Sequence, residues 1–155
     1  MSNKVKEYFK KVGLADRIQV FDTSSATVEL AAAAINCHPS RIAKTLSFMV
    51  EQEPILIVVS GDAKIDNPKY KAQFGTKATM LKPDQAVNLI GLEIGGICPF
   101  AIKDEVTVYL DKSLQRFETV YPACGSSNSV LELSIQELEQ HSNFIAWIDV
   151  CKGWK

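Results

Sequence analysis

The sequence predicts an α+β domain on a mixed sheet, and three observations predict it. Patterns of helical and of strand period are interleaved along the chain, as expected of packed α and β layers. Two predicted strand pairs, 45–50 with 55–60 and 119–123 with 130–133, are joined by loops too short for a crossover, so each must run antiparallel. The 155 residues, 46% hydrophobic and 23% charged, suit one core, and residues 1–155 read as a single domain without internal repeat or linker.

The elements follow in order. Val5, Tyr8, Phe9 and Val12 recur at helical spacing and Gly13 follows as a C-cap, which predicts a surface helix over 3–12. Ile18, Val20 and Phe21 predict a short strand, and Asp22-Thr23-Ser24-Ser25 offers N-cap residues to an Ala-rich helix over 25–36. Cys37-His38-Pro39-Ser40 breaks that helix before Lys44–Val50 extends. Glu51-Gln52-Glu53-Pro54 reads as a hairpin loop into Ile55–Ser60, which is apolar on both faces and therefore a central strand. Asn67-Pro68 and Pro83-Asp84 open helices over 68–74 and 83–90; a loop marked by Gly91, Gly95, Gly96 and Pro99 leads to a strand at 106–110. Strands near 119–123 and 130–133 come next. A helix from Ser134, with Glu137 placed for a capping box, and a strand over 144–150 complete the chain.

Composition excludes several classes of function. The longest stretch free of Asp, Glu, Lys and Arg, Thr119–Leu131, falls short of the roughly 20 apolar residues of a membrane span. The N-terminus turns charged at once, unlike a secretory signal, so a cytosolic protein is expected. Cys37, Cys98, Cys124 and Cys151 form no C-x-x-C pair, which points to free thiols rather than zinc or disulfides; no metal and no cofactor is expected. A net charge of −1 means that a polyanion must be held by a local basic patch. Lysines 64, 69, 71, 77 and 82, with 4, 6, 10 and 11, could meet phosphates, although a solvated face explains most of them. Serine-hydrolase, dinucleotide and triphosphate fingerprints are absent, and His38 and His141 read as caps rather than bases.

Three features could carry chemistry. Lys44, between Ala43 and Leu46 at the start of an apolar strand, must bury its stem, and its ammonium then needs either a structural carboxylate or an anionic ligand. Gly95-Gly96-Ile97-Cys98-Pro99-Phe100 can turn N–H groups toward a carbonyl or oxyanion, or be an ordinary tight loop. Cys98 is a candidate nucleophile without a His partner, hence a buried thiol in the plainer reading. Gly125-Ser126-Ser127-Asn128-Ser129 is a polar tip able to offer hydroxyls and amides to a ligand or simply to turn the chain.

In this order, these pieces resemble the YbaK-like family of aminoacyl-tRNA editing domains, which includes the insertion domain of bacterial prolyl-tRNA synthetase. The resemblance is carried by Asp22–Thr27 and the Ala-rich helix after it, Ile42–Phe48, Ile57–Asp62, Gly95–Phe100, and Gly125 with Leu131–Ser134. It implies a mixed, largely antiparallel curved sheet with surrounding helices. It also implies metal-free hydrolysis, in trans, of the ester joining a small amino acid such as Ala, Cys, Ser or Thr to tRNA, often tRNA for proline. Lys44 matches the family's cleft lysine, Gly95 and Pro99 its G-x-x-x-P loop, and Gly125 the glycine of the loop over the terminal adenosine. The expected catalytic set is therefore Lys44, Gly95, Gly96 and Pro99. Thr45, Ile97, Cys98, Gly125 and Ser126 are expected against the substrate. Many relatives carry a basic residue and an Asp after that glycine, where this chain has Ser126–Ser129. The implied partners are the tRNA acceptor end and prolyl-tRNA synthetase, with neither DNA nor membrane, and nothing in the residue pattern sets an oligomeric state.

The chemistry agrees with a chain that lacks a histidine base. A ribose ester has a vicinal hydroxyl that can assist water, so the protein need only position water and stabilise the oxyanion. The alternative is a module that binds the tRNA 3′ end or another aminoacyl ligand without turning it over.

Overall fold

A computed structural model describes residues 3–154. Met1, Ser2 and Lys155, which the single-domain expectation includes, lie outside the described residues.

The chain forms α1 (Asn3–Lys11), β1 (Gln19–Val20), α2 (Val28–Ile35), β2 (Ile42–Val50), β3 (Glu53–Ser60), β4 (Lys64–Ile65) and α3 (Asn67–Phe74). It continues with α4 (Pro83–Gln85), which widens into a π-helical turn over Ala86–Ile90, then β5 (Thr107–Asp111), β6 (Thr119–Pro122), β7 (Ser129–Val130) and β8 (Leu133–Ser134). Helix α5 (Ile135–Ser142), β9 (Ala146–Ile148) and β10 (Cys151–Lys152) end it. The main sheet is mixed, in the order β8-β6-β2-β3-β5-β9. β2/β3 and β6/β8 are antiparallel; β2/β6, β3/β5 and β5/β9 are parallel. Two antiparallel ribbons, β1/β7 and β4/β10, flank it.

β3 is central, as its doubly apolar pattern requires. Leu56 and Val58 face a core shared with Val5, Phe9, Leu110 and Leu131, while Ile55, Ile57 and Val59 face a second core with Phe48, Tyr70 and Val150. Each such side chain contributes roughly 1.5–3 kcal/mol by leaving water. The β2/β3 hairpin turns at Glu51-Gln52 alone, both at positive φ as a two-residue primed turn demands. Pro54, expected in the loop, is instead within β3; the β5 ladder begins one residue later, at Ile55↔Thr107, so no sheet bond needs its missing N–H.

Several boundaries differ from the sequence expectation, each for a tertiary reason. The Ala-rich helix begins at Val28 rather than 25. The Ser25 N–H is held by the Ser127 carbonyl at 2.6 Å, and Thr27 provides the cap, its Oγ1 accepting from the Leu30 N–H at 3.2 Å. The strand expected at 130–133 divides into β7, which pairs with β1, and β8, which pairs with β6. The last strand also divides. The buried Asp111 carboxylate accepts from the Val150 N–H at 2.9 Å, and the Val150 carbonyl accepts from the Asp66 N–H at 2.8 Å, so the chain leaves β5 and joins β4. The Ser134/Glu137 capping box forms as its spacing predicts.

Candidate active site

The site arises from an incomplete ladder. β2 is paired with β3 from Ala43 to Val50, but on its other edge β6 pairs only at Ile42↔Tyr121 and Ala43↔Pro122. Farther along, residues 79–81 cover that edge: the Met49 N–H donates to the Thr79 carbonyl at 2.9 Å and the Leu81 N–H to the Ser47 carbonyl at 3.1 Å. Lys44, Thr45 and Leu46 lie in the interval, and they line a cavity of about 270 Å³. Ser25–Val28 and Ala31 wall it from the α2 side, Gly95 and Ile97 from the glycine loop, and Tyr121, Ala123 and Val130 from the strands beyond. Met80 and Ile94, 55% and 51% exposed, also line it and mark its opening. The walls are mostly apolar, with Lys44 as the one charged side chain among them.

Lys44 is half-buried, and burial holds its pKa below the ordinary lysine value. Among the described residues no carboxylate oxygen lies within 4.0 Å of its Nζ. Cys151, Glu29, Lys64 and Asp62 act on it only through their fields. Asp62 is otherwise engaged, its two oxygens accepting from the Arg116 guanidinium at 2.6 and 3.0 Å. The structural-carboxylate explanation of Lys44 therefore has no support in the geometry.

The glycine loop is shaped by contact with protein. Gly95 stands at φ +101° and a Cβ there would lie 3.0 Å from the Ala26 Cβ; a Cβ on Gly96 would lie 2.6 Å from the Ser126 main chain. The close approach anticipated toward a ligand is thus, at Gly96, an approach to Ser126. The Gly96 N–H donates to the Glu93 carbonyl at 3.0 Å, whereas those of Gly95, Ile97 and Cys98 have no acceptor among the described residues. Buried main-chain donors without acceptors are rare in folded proteins.

Of the nine expected site residues, Lys44, Thr45, Gly95 and Ile97 come together around the cavity. Gly96 and Pro99 are buried and are not among its lining residues. Cys98 is fully buried, its thiol directed at the Phe100 carbonyl and pushed up to about 12 by desolvation, which leaves it neither exposed nor ionised as a nucleophile must be. Gly125 and Ser126 line a separate shallow hollow with Asp22, Ser24, Gly91 and Glu93. The polar tip binds its own fold: the Asn128 amide donates to the Phe21 carbonyl at 3.0 Å, the Ser127 carbonyl takes Ser25, and Ser126 bonds Asn128 and Ser129. His38 caps the turn at Pro39–Arg41, accepting from the Ser40 N–H, and His141 bonds the Tyr8 hydroxyl at 2.7 Å. Sequence reasoning did not single out Met80, Ile94, Tyr121 or Val130 as walls; no motif marks an apolar residue that long-range packing brings to a cleft.

The fold and the site thus define an α+β domain whose cavity is lined both by Lys44, without a carboxylate partner among the described residues, and by Gly95 and Ile97 of the glycine-rich loop. The model of the aminoacyl-tRNA editing domain family matches residues 22–140, and the chain belongs to that family. Membership supports an editing hydrolase. The chain is 51% identical over 152 residues to the uncharacterized protein YwhH of Bacillus subtilis (strain 168), covering 97% of each. Over 90 residues it is 34% identical to the proline–tRNA ligase of Aquifex aeolicus (strain VF5), 57% of this chain but only 16% of the ligase. A crystal structure of a candidate trans-editing enzyme for prolyl tRNA synthetase shares the fold, with a TM-score of 0.85 at 24% identity over 99% of both chains. Among the described residues no group of His, Cys, Asp and Glu is placed to hold a metal ion, and no helix is long and apolar enough to cross a membrane.

Proposed function

We propose that the protein is a trans-editing deacylase acting in the cytoplasm, which hydrolyses the ester of a small amino acid, such as Ala, Cys, Ser or Thr, misattached to tRNA, most simply tRNA for proline. The observation that carries this reading is that half-buried Lys44, with no carboxylate within ion-pair distance among the described residues, lines the same cavity as Gly95 and Ile97 of the glycine loop. Lys44 holds the terminal phosphate or ribose region as a cation. The N–H groups of Gly95 and Ile97 take the developing oxyanion; Gly96 and Pro99 shape that loop, and Ser126 packs against it at Gly96.

Water adds to the acyl carbon with the vicinal ribose hydroxyl relaying its proton, the bond from carbon to the ribose oxygen breaks, and that oxygen leaves protonated as the tRNA 3′ end. No base from the protein is required. The cavity is small beside the roughly 300–1,000 Å³ of usual small-molecule pockets, so amino acids are selected by exclusion of size. The proline–tRNA ligase relatives supply the choice of tRNA and of prolyl-tRNA synthetase as partner.

The test is a panel of mischarged tRNAs scored for release of free amino acid. Release of a small residue, fastest from tRNA for proline, is expected. Binding of the same tRNAs with no release from any would replace the enzyme by a 3′-end binding module.

A further inference from the structure

The main-chain groups of a strand alternate between its two edges. The tight turn at Glu51-Gln52 makes Val50↔Glu53 a hydrogen-bonded pair, so the even residues of β2 direct N–H and C=O to β3. The odd ones face outward. Ser47 and Met49 bond Leu81 and Thr79, and Ala43 lies in the last register pair with β6. Thr45 is the odd residue between them, facing the place where β6 has turned away and Ala123 bridges Val130 instead. Thr45 and Ala123 both line the cavity, and among the described residues nothing bonds the outward main chain of Thr45. One residue of the ladder is missing, and the cavity occupies its place.

Resting on the editing-hydrolase reading, we propose that the aminoacyl group fills this gap as a strand one residue long. Its α-ammonium donates to the Thr45 carbonyl and its acyl oxygen accepts from the Thr45 N–H. An extended α-amino acid carries its nitrogen and its carbonyl on the same side, at the spacing of a hydrogen-bonded antiparallel pair, so strand addition at an open edge needs no ligand side chain. The acyl oxygen keeps a second lone pair for the amides of the glycine loop. Recognition of the α-amino group is thereby separated from recognition of the side chain, and a substrate lacking that group loses a charge-assisted hydrogen bond.

The experiment uses an acceptor minihelix ending in 3′-amino-3′-deoxyadenosine, acylated through a stable amide with alanine or, without the α-amino group, with propionate. The alanyl probe is expected to bind at least tenfold tighter than the propionyl one, to move the Thr45 amide resonance, and to slow its hydrogen exchange at least tenfold. Thr45→Val keeps the peptide and replaces only the hydroxyl, so the affinity ratio should persist in it. Equal affinities with the Thr45 amide unmoved, or loss of the ratio in Thr45→Val, would overturn the pairing and leave an editing hydrolase standing. Binding of neither probe, with no amino acid released from any mischarged tRNA, would overturn the hydrolase and the pairing together.

Discussion

Two cations, Lys44 on β2 and Arg116 at the end of the 3-10 turn Lys112–Arg116 that follows β5, have opposite surroundings. The Arg116 guanidinium grips both oxygens of Asp62, donates to the Ser60 hydroxyl at 2.8 Å and to the Ser113 carbonyl at 2.9 Å, and lies over the rings of Phe117 and Trp154. Lys44, also removed from water, faces a cavity and no carboxylate within ion-pair distance among the described residues. A partly buried charge is tolerated in a fold when it is paired, so the paired one is accounted for by structure. The unpaired one opposes folding, as the proposed role of Lys44 as a cation for an anionic ligand would entail.

Removing each charge in turn is the strongest way to break this comparison. Lys44→Met should lower single-turnover deacylation by about 100- to 1,000-fold, the usual effect of losing one direct electrostatic contact to the transition state. Its melting temperature should stay level or rise. The folded-state pKa of Lys44 is lowered, so the unfolded chain holds the proton more tightly and the charged side chain opposes folding at neutral pH. A Lys44→Met protein that melts well below wild type would make Lys44 structural and void the contrast.

Arg116→Met should act through stability. Breaking a fully buried ion pair costs about 3–5 kcal/mol, and the partial exposure here reduces the expectation to about 2–3 kcal/mol, read from denaturant midpoints. A change under about 0.5 kcal/mol would equate this pair with an ordinary surface one.

The wall beside Lys44 should set size selection. Ile97, 7% exposed, faces the cavity, and Ile97→Val opens about one methylene, so the ratio of kcat/KM for an amino acid one carbon larger should rise about tenfold. An unchanged ratio would move the side-chain subsite away from Ile97.

The smallest effect is on pH. Asp62 is held below the usual carboxylate range chiefly by its bond from Arg116, Glu132 by the Thr119 hydroxyl and then Arg41, and Glu137 by Arg17. Lowered folded pKa values mean that the unfolded chain binds more protons in acid. The stabilisation is complete above about pH 4.5 and is lost as pH falls through the folded values. Urea midpoints should be flat from pH 7 to pH 5 and decline below, with a shallower decline in Asp62→Asn.

Much of this was legible in the residues because the forces involved are local or periodic. The central β3, the capping box at Ser134 and the β2/β3 pairing follow from alternation, cap chemistry and loop length, which a short window contains. Lys44 and the glycine loop were also legible, as a charge stranded in an apolar strand and a pair of residues without side chains. Their meaning was only half visible: the absence of a His partner already pointed to Cys98 as a buried thiol, but Gly96 is small for the sake of Ser126, thirty positions away, which no spacing reveals.

The amino-acid order by itself determined the mixed α+β class, the strand that would be innermost and the lysine whose stem would be buried beside that strand, since burial preference and chain connectivity act along the sequence; whether a carboxylate would meet that lysine was left to the packing. Tertiary structure alone decided that β6 leaves β2 after Ala43, that residues 79–81 resume the edge at Ser47, and that a cavity opens between them at Thr45. A strand edge is covered or left bare by segments distant in sequence, and only their packing fixes where they part.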